Sequence, residues 1–373
     1  MFPWKILHVE TGRHLHGGAQ QVVHLVTGLA QHGIASVLAC SRGSEIAAAL
    51  AGVAERVVEL PIGGELDFLL ASRLRRLARE EQIDLVHLHS RRGADVFGGL
   101  AARWGRLPVV LSRRVDTPES RLVCAVKYRL YDRVIAISEC IERVLRAGGV
   151  PANKLRCVHS GVDPAPYQQP ADRGWVCREF GLAESDLLVG LVAQLIPRKG
   201  HAVLLDAMEQ LQTEYPQLRV LLFGRGPLEA SLRDEIDQRG LQQQVQLAGF
   251  RQDLSSIVPA LDLIVHPALA EGLGVALIQA AAAGVPIVGA RAGGIPEIVR
   301  HEENGLLVEP GDAAGLAAAI GRLLADEPRR KQLGAAGREL VFRLFTFDRM
   351  VAGNLEVYRE LLEPQRSRLR SAG

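Results

Sequence analysis

The strongest constraint on the fold is a repeated alternation between short apolar runs and longer segments with helical spacing. In the first half the runs are KILHVE, ASVLAC, RVVEL, DLVHLH, PVVLS and RVIAIS; after residue 186 they resume as LLVGLVAQL, RVLLFG, VQLAG, LIVHP, PIVGA and GLLVEP. Strands that alternate with helices in this way form parallel sheets with crossover helices. The sequence therefore predicts two doubly wound α/β domains.

A proline-containing interval separates the two series. Pro164, Pro166 and Pro170 lie in it, a composition typical of an interdomain connection. Ligands of open parallel sheets bind beyond the carboxyl ends of the strands, so we expect two Rossmann-like domains that face a deep cleft. The expected segments are an N-terminal domain over 1–165, a linker over 166–186, a second domain over 187–345, and a C-terminal helix with a basic tail over 346–373.

Composition narrows the class of protein. No apolar run reaches the roughly 18–20 residues that a membrane-spanning helix needs, and the opening MFPWKILHVE has no signal-peptide pattern. We therefore expect a cytoplasmic protein. The five cysteines are scattered and form no CxxC pair, which disfavours a disulfide framework and a zinc site. Residues 1–165 hold 22 Lys and Arg against 16 Asp and Glu, so this half is the better candidate for an anionic partner.

A paired glycine, Gly17 and Gly18, stands between the first strand and a helical pattern. Such a turn leaves backbone N–H groups free at a helix N-terminus and suits a phosphate. A tight strand-to-helix turn is the alternative explanation. A second stretch, RKG at 198–200, places Arg198 and Lys199 after a strand and before a helix. Two cations at that position can neutralise a diphosphate without a metal, and a solvated basic turn is the alternative.

The third stretch, EGLGVALIQAAAAGVPIVGARAGGIPEIV, is the most informative. Glu271 follows a buried strand, and Gly272, Leu273 and Gly274 open a helix with free N–H groups in its first turn. Gln279 lies eight residues after Glu271, a net rotation of roughly 80° on a helix. Both side chains can therefore address one ligand near the helix start.

The order RKG, then EGLGVALIQAAAAGVPIV, then GGIPEIV and NGLLVEPGD resembles the donor domain of a known family. This is the large GT-B group of retaining, nucleotide-sugar-dependent glycosyltransferases, family 4, which includes bacterial lipopolysaccharide and capsule transferases. GGAQQVV, DLVHLHS and VHSGVD also occur in the expected order, so the resemblance covers nearly the whole chain. Ser160 in HSGVD stands where relatives commonly have Asn.

The resemblance implies a role for each matching residue. Gly17 and Gly18 would lie under the donor phosphates, Arg198 and Lys199 would bind the diphosphate, and Glu271 would lie near the donor sugar hydroxyls. Gln279 replaces an acidic ribose ligand of the family, so we expect weaker or altered nucleotide binding. The expected catalytic residues are Glu271, Arg198, Lys199 and His89, and a structural role is the alternative for His89. Further donor contacts are expected from Gly224, Gly226, Phe250, Arg251, Gly272, Leu273 and Gly274, and an ordinary turn is the alternative for Gly224 and Gly226.

The implied reaction transfers a sugar from a nucleotide-diphosphate donor to a hydroxyl of a glycan or glycolipid, for example in lipopolysaccharide core synthesis. The chain has no DxD triplet, so we expect no metal and no other cofactor, with charge met by cations and helix N-termini. Retention would follow front-face attack, with Glu271 as an orienting and electrostatic residue. No nucleic-acid partner is expected.

The acceptor is expected against the N-terminal domain, where basic residues could also meet an anionic lipid surface at the inner face of the cytoplasmic membrane. A solvated charged face is the alternative explanation for them. The candidate acceptor residues are Arg91, Arg92, Arg113 and Arg114.

Two other functions stay open. Nucleotide-sugar 2-epimerases share the two-domain architecture, although the match that starts at RKG favours transfer. Gln279 differs from the acidic residue of the family, which also allows a non-catalytic partner subunit that keeps the fold. An enzyme is favoured by the other matching residues, Glu271, Arg198, Lys199 and Gly17.

Overall fold

The computed structural model describes residues 4–15, 17–64, 66–91 and 93–371, with side chains in the last helix described as far as Pro364. The chain divides into two compact units. Unit 1 joins Met1–Gly161 to Phe347–Gly373, and unit 2 is Val162–Thr346.

The strands of the described residues form two parallel sheets. Their bounds are β1 (Lys5–Glu10), β2 (Ala35–Ser41), β3 (Arg56–Leu60), β4 (Leu85–Leu88), β5 (Val109–Arg113), β6 (Arg133–Ala136), β7 (Leu155–Cys157), β8 (Leu187–Val192), β9 (Leu218–Phe223), β10 (Val245–Gly249), β11 (Leu263–His266), β12 (Ile287–Ala290) and β13 (Gly305–Val308). The prediction of two parallel α/β sheets is confirmed.

Helices connect the strands in both units. Their bounds are α1 (Gly17–Gln31), α2 (Glu45–Ala49), α3 (Leu69–Glu80), α4 (Ala94–Gly105), α5 (Arg121–Lys127), α6 (Glu139–Ala147), α7 (Arg173–Phe180), α8 (His201–Leu211), α9 (Glu229–Gln238), α10 (Leu254–Ile257), α11 (Val275–Ala283), α12 (Ile295–Ile298), α13 (Ala313–Leu324), α14 (Glu327–Leu344) and α15 (Phe347–Ser371). Short 3-10 turns cover Tyr128–Leu130, Ala152–Lys154, Ala165–Gln168, Pro197–Lys199 and Val258–Ala260.

The sheet of unit 1 has the order β3-β2-β1-β4-β5-β6-β7. All its neighbouring strands pair in parallel. The direction in which the chain adds strands reverses between β1 and β4, and such a reversal opens a crevice at the carboxyl ends of the two strands. In unit 1 this crevice is bordered by the residues that follow β1 and β4.

The sheet of unit 2 has the order β10-β9-β8-β11-β12-β13. The strands β8, β9, β11 and β12 are buried along most of their length, with Val189, Leu191, Leu222 and Val265 among the core residues, whereas the edge strand β10 is partly exposed. Continuous apolar strands of this kind are expected where helices cover both faces of a parallel sheet. The corresponding reversal of strand order lies between β8 and β11.

The C-terminal helix is part of unit 1, where the sequence analysis treats it as a separate segment. Val351, Leu355 and Tyr358 of α15 are buried in one core with Leu25 and Leu29 of α1. The two helices touch closely, since a Cβ placed on Gly28 would lie 2.4 Å from the Val351 side chain. The division at residue 346 is therefore corrected: packing joins α15 to the first unit.

The expected linker over 166–186 is likewise corrected. It contains α7, whose Val176, Cys177 and Phe180 are buried, and it belongs to unit 2. The Asp172 side chain caps this helix by accepting a hydrogen bond of 2.7 Å from the Trp175 N–H, and Gly181 ends it at φ +68°. The prolines precede this helix and do not mark an unstructured connection.

Candidate active site

The strand reversal of unit 2 brings together the residues that follow β8 and β11. Lys199 lies in the 3-10 turn after β8, and Glu271 lies in the loop after β11. Both side chains are largely buried, with 10% and 12% exposed. Two residues 72 positions apart in sequence thus meet at the sheet edge where ligands of such folds bind.

Gly200 makes this approach possible. It has φ +74°, and a Cβ on it would lie 1.9 Å from the Pro267 carbonyl oxygen. The Leu269 N–H donates a hydrogen bond of 2.8 Å to the Arg198 carbonyl. Only glycine lets the backbone of the RKG turn contact the loop after β11 this closely.

Glu271 is held by a cation and a histidine. Its Oε2 accepts a hydrogen bond from Lys199 Nζ and lies 2.9 Å from His266 Nε2. Burial acts to raise the pKa of Glu271, but the hydrogen bond to His266 and the charge of Lys199 lower it to about 2. The carboxylate is therefore ionised throughout the physiological pH range and suits an electrostatic or orienting role.

Two buried histidines next to this pair have polar atoms without a partner in the described residues. These are Nδ1 of His266 and both ring nitrogens of His201. Burial lowers the pKa of His201 to about 4, and nearby His266 and Lys199 add to that effect. His201 is therefore neutral at pH 7. Unpaired buried polar atoms are uncommon in folded proteins and concentrate at functional sites.

A second glycine loop, after β12, supports Glu271 from its backbone. The Gly294 N–H donates a hydrogen bond of 2.9 Å to the Glu271 carbonyl. A Cβ on Gly293, which has φ +54°, would lie 1.8 Å from that same oxygen. Gly274, at φ +99°, is the N-cap of α11. The loop that bears Glu271 thus runs between two glycine turns into a helix N-terminus.

The other residues predicted near this pair take different positions. Gln279 lies half-buried on α11, and Leu273 is buried, so only its backbone can face a ligand. Arg198 is exposed, in contrast to its neighbour Lys199. Of the predicted catalytic residues of unit 2, the structure brings Lys199 and Glu271 into direct contact.

The strand reversal of unit 1 gathers a second polar group. Glu10 ends β1, and its Oε1 accepts hydrogen bonds from Ser90 Oγ at 2.6 Å and from the Gly12 N–H at 2.8 Å. His89 follows β4 and is buried. Its Nε2 lies 3.0 Å from Nδ1 of His8, while its Nδ1 has no partner in the described residues.

In the described part of the chain, His8, His87 and His89 also form a group whose candidate metal-ligating atoms lie within 4.8 Å of one another. His87 already uses both ring nitrogens, with Tyr358 Oη at 2.6 Å and Ser112 Oγ at 2.8 Å. Burial lowers the pKa of His8 to about 3, so this imidazole is neutral at pH 7 when it contacts His89. Metal independence stays a prediction.

Comparison with known proteins identifies the family. Residues 15–166 match the family described as Glycosyltransferase Family 4, and residues 177–340 match Glycosyl transferases group 1. The two matches lie side by side and together span most of the chain. The chain is a family 4, group 1 glycosyltransferase.

Individual relatives of the glycosyltransferase are distant. N-acetyl-alpha-D-glucosaminyl L-malate synthase of Bacillus anthracis is 24% identical over 81% of this chain and 81% of the relative. A GDP-mannose-dependent alpha-(1-6)-phosphatidylinositol monomannoside mannosyltransferase of Mycolicibacterium smegmatis is 28% identical over 72% and 74%. The crystal structure of Anabaena HepE in complex with UDP and glucose matches with a TM-score of 0.85 and 24% identity, over 96% of this chain and all of that one. The last match shows that the fold is shared.

Gly224 and Gly226 of the glycosyltransferase have a packing reason to be glycine. A Cβ on Gly224, at φ +145°, would lie 1.8 Å from the Ala193 carbonyl oxygen, and one on Gly226 would lie 2.4 Å from that of Leu195. From the sequence, these glycines are expected to allow close approach of a nucleotide. The structure shows that another stretch of backbone makes the close approach, and nucleotide contact here stays a prediction.

Phe250 and Arg251 follow β10. Phe250 is 50% exposed, and the Arg225 guanidinium lies 4.8 Å from the centre of its ring. Arg251 is held by Asp253 at 2.6 Å and by Glu179 at 2.6 Å. Arg251 is thus occupied by two carboxylates, whereas Phe250 keeps half of its surface exposed beside Arg225.

The four arginines expected to bind the acceptor differ in environment. Arg113 is 2% exposed, donates to the carbonyl oxygens of Val115 and Thr117 and lies 3.5 Å from the Glu119 carboxylate, so it has structural partners and its acceptor role stays a prediction. Arg91 is exposed. Arg92 lies outside the described residues. Arg114 is partly exposed and stays a candidate.

His8, His201 and His266 were not predicted from the sequence as site residues. Each lies in a strand or at the start of a helix that borders one of the two strand reversals. His266 is the last residue of the run LIVH, and His89 directly follows DLVHL. A polar side chain at the carboxyl end of a buried strand could therefore have identified His266 as a candidate site residue. For His8 and His201 the signal is weaker, because their pairing depends on neighbours distant in sequence.

Proposed function

We propose that this glycosyltransferase moves a sugar from a nucleotide-diphosphate donor to a hydroxyl group of a glycan or glycolipid, with retention of configuration at the sugar. Unit 2 binds the donor and unit 1 binds the acceptor. The observation that carries the proposal is the buried Lys199–Glu271 pair at the strand reversal of unit 2, beside the N-terminus of α11.

The chemistry follows from the charges in that group. Departure of the nucleoside diphosphate places negative charge on a phosphate oxygen, and Lys199 is a fixed cation in a largely buried position that stabilises it. The first turn of α11 offers free backbone N–H groups for the same purpose. Glu271 stays ionised and accepts hydrogen bonds from the sugar or supports positive charge on its anomeric carbon. The acceptor hydroxyl gives its proton to the departing phosphate.

The relatives support the substrate classes. The name of the Mycolicibacterium smegmatis relative specifies GDP-mannose and phosphatidylinositol monomannoside. The name of the Bacillus anthracis relative specifies L-malate, and HepE was crystallised with UDP and glucose. A nucleotide sugar and a polar or lipid-linked acceptor fit all three names. An epimerase or a non-catalytic partner would lack transfer to an acceptor.

The first experiment is calorimetric titration of the protein with UDP, GDP and ADP, each in the presence of EDTA. Binding of one nucleotide identifies the base of the donor and supports a metal-free diphosphate site. The matching nucleotide sugars are then incubated with protein alone. Release of free sugar and nucleotide supports transfer to water as a slow side reaction, whereas accumulation of an isomerised nucleotide sugar would replace the proposal with an epimerase.

Gln279→Glu is expected to tighten nucleotide binding by about three- to tenfold, because an ionised acceptor makes hydrogen bonds roughly twice as strong as a neutral one. The measurement is the dissociation constant of the preferred nucleoside diphosphate in the same titration. Gln243→Glu, at a position without a predicted ligand role, is the matched control for added negative charge. Equal or weaker binding by the Gln279 variant would remove this residue from the ribose site.

We further propose that unit 1 contacts an anionic lipid surface through α5. Leu122 and Val126 stand one helical turn apart and are 76% and 64% exposed, so they share a face. Arg121 and Arg129 beside them are exposed as well. None of the described helices is long and apolar enough to cross a bilayer. Exposed apolar side chains flanked by arginines fit a surface that lies on an anionic membrane.

The double variant Leu122→Ser/Val126→Ser is expected to bind vesicles at least about tenfold more weakly, since each buried apolar side chain contributes about 1.5–3 kcal/mol and about 1.4 kcal/mol corresponds to a factor of ten. The measurement is co-sedimentation with vesicles that contain phosphatidylglycerol. Val53→Ser, which removes another exposed apolar side chain of unit 1, is the control. Equal binding by all three proteins, or equal binding to neutral vesicles, would contradict the lipid contact.

A further inference from the structure

His8 and His89 are two buried histidines that contact each other at the strand reversal of unit 1. His8 lies in β1 and is 0% exposed, and His89 follows β4 and is 4% exposed. Nδ1 of His8 lies 3.0 Å from Nε2 of His89, and the two rings are nearly parallel, with an interplanar angle of 15°. This is hydrogen-bond distance, so one of the two rings donates a proton to the other.

The protonation of the two rings limits how this hydrogen bond can form. Burial lowers the pKa of His8 to about 3. Burial also holds the pKa of His89 well below its usual range, and His87, His8 and Arg114 add to that effect. Both rings are therefore neutral at pH 7, and a neutral imidazole has one N–H and one bare nitrogen. The ring that donates in the contact determines what the other nitrogen of each ring offers.

Ser36 lies on the other side of His8, and its Oγ is 3.5 Å from Nε2 of His8. If His8 donates from Nδ1, its bare Nε2 can accept the Ser36 hydroxyl proton, and only the Nδ1–H of His89 has no partner in the described residues. If His89 donates, the proton of His8 is on Nε2. The Ser36 hydroxyl proton and the bare Nδ1 of His89 then both lack partners there. The first arrangement is favoured, because it leaves fewer buried polar groups unsatisfied.

We propose that His8 is a positioning residue for His89. Together with Ser36, it holds the proton of His89 on Nδ1, so that this nitrogen donates a hydrogen bond to an oxygen atom of the bound sugar donor. The inference rests on the proposed function, because it needs a sugar donor in the crevice beyond β1 and β4. It adds a role for His8 and Ser36 to the donor contact that is expected of His89. A bare Nδ1 could only accept a hydrogen bond, so the proton of His8 sets which donor oxygens His89 can bind.

The first test measures the tautomer of His89 without turnover. Protein labelled with nitrogen-15 in its histidines is studied by NMR, in which a protonated ring nitrogen and a bare one have different chemical shifts. The His89 signals are assigned from their loss in His89→Phe. In the unaltered protein His89 is expected to carry its proton on Nδ1, and His8→Phe is expected to lose this preference. A proton on Nε2 of His89 in the unaltered protein would overturn the proposal.

His87→Phe is the matched control. His87 is also 0% exposed and pairs with His8 in the register of β1 and β4, but its ring nitrogens contact Tyr358 and Ser112. The same substitution at this position removes a buried histidine without removing the contact between His8 and His89. It should leave the proton of His89 on Nδ1.

Kinetics then tests the consequence for the substrate. His8→Phe is expected to raise the KM of the sugar donor about three- to tenfold in hydrolysis without acceptor, the effect of one lost hydrogen bond, whereas His87→Phe should not. His8→Asn places an amide near the position of Nδ1 and should recover part of the loss. Because His8 acts through His89, the double variant His8→Phe/His89→Phe should have the same KM as His89→Phe alone.

A purely structural role for His8 predicts different results. His8→Phe would then lower the unfolding temperature and leave the KM of the donor unchanged, or its effect on KM would add to that of His89→Phe; either result overturns the proposal. Absence of turnover with every nucleotide sugar would instead remove the proposed function. The NMR measurement would still show whether His8 fixes the proton of His89, so the two failures can be told apart.

Discussion

Lys199→Met is expected to lower kcat/KM for the donor by about 10²–10³-fold, the loss typical when one preorganised stabiliser of transition-state charge is removed. Lys199 is fixed by its ion pair with Glu271 and is 10% exposed at its side chain, so water cannot easily replace it. The measurement is steady-state transfer, or donor hydrolysis where the acceptor is unknown. A fall in kcat that exceeds the rise in KM indicates that the lysine acts on the departing diphosphate.

The control separates this role from structural damage. Lys199→Met alone leaves Glu271 ionised and without its cation, and breaking such a pair costs stability. The double variant Lys199→Met/Glu271→Gln removes both charges and should recover most of the lost stability, measured by thermal unfolding, while it transfers more slowly than Glu271→Gln alone. Equal transfer by the double variant and by Glu271→Gln would show that the lysine acts only by holding Glu271 in place.

Much of the fold was accessible from the sequence because its signals are local. A buried parallel strand has a short apolar sequence that does not depend on its neighbours in the fold. The alternation of such sequences with helical patterns therefore predicted both sheets. The interval that contains Pro164, Pro166 and Pro170 was misleading for the same reason. Proline marks where a helix cannot continue, but Asp172 starts α7 two residues after the last of them.

The candidate site was predictable only in part, because adjacent residues can have opposite environments. Arg113 and Arg114 are neighbours in sequence; Arg113 is buried and donates to the Val115 and Thr117 carbonyl oxygens, whereas Arg114 is partly exposed. Side chains alternate across the end of a strand, so composition cannot tell which arginine is buried. Lys199 and Glu271 were identifiable, whereas the contact of Glu271 with His266 depends on the fold.

Glycines gave the least reliable signal. The residues after β9 were attributed to a nucleotide, yet a Cβ on Gly224 would meet the Ala193 backbone. Gly200 is the same case in the RKG turn. A glycine pattern indicates that another group packs closely against the backbone at that position. It does not indicate whether that group belongs to a ligand or to another segment of the same chain. That distinction requires the positions of residues far apart in sequence.

Gly293→Ala is expected to reduce transfer by at least tenfold and to destabilise unit 2, because the new methyl group must displace the loop that bears Glu271. Its Cβ would lie 1.8 Å from the Glu271 carbonyl oxygen, and the backbone must also hold φ +54°. An alanine in this left-handed conformation costs about 1–2 kcal/mol by itself. The contact with backbone adds to that cost, since no side chain can rotate away. The hydrogen bond from the Gly294 N–H to the Glu271 carbonyl is expected to be lost with it.

Gly311→Ala is the matched control, since Gly311 has φ +82° and a Cβ there would meet nothing within 4 Å. This substitution places an alanine in the left-handed backbone conformation, which costs stability, but it adds no steric contact with a neighbouring loop. Urea unfolding should therefore show a small loss for Gly311→Ala and a larger one for Gly293→Ala, and only the latter should lower kcat/KM for the donor. Equal losses of stability with transfer unchanged would mean that the position of Glu271 does not depend on the glycine turn after β12. A larger loss at Gly293 would show that this backbone contact, formed between two loops of unit 2, sets the position of the carboxylate.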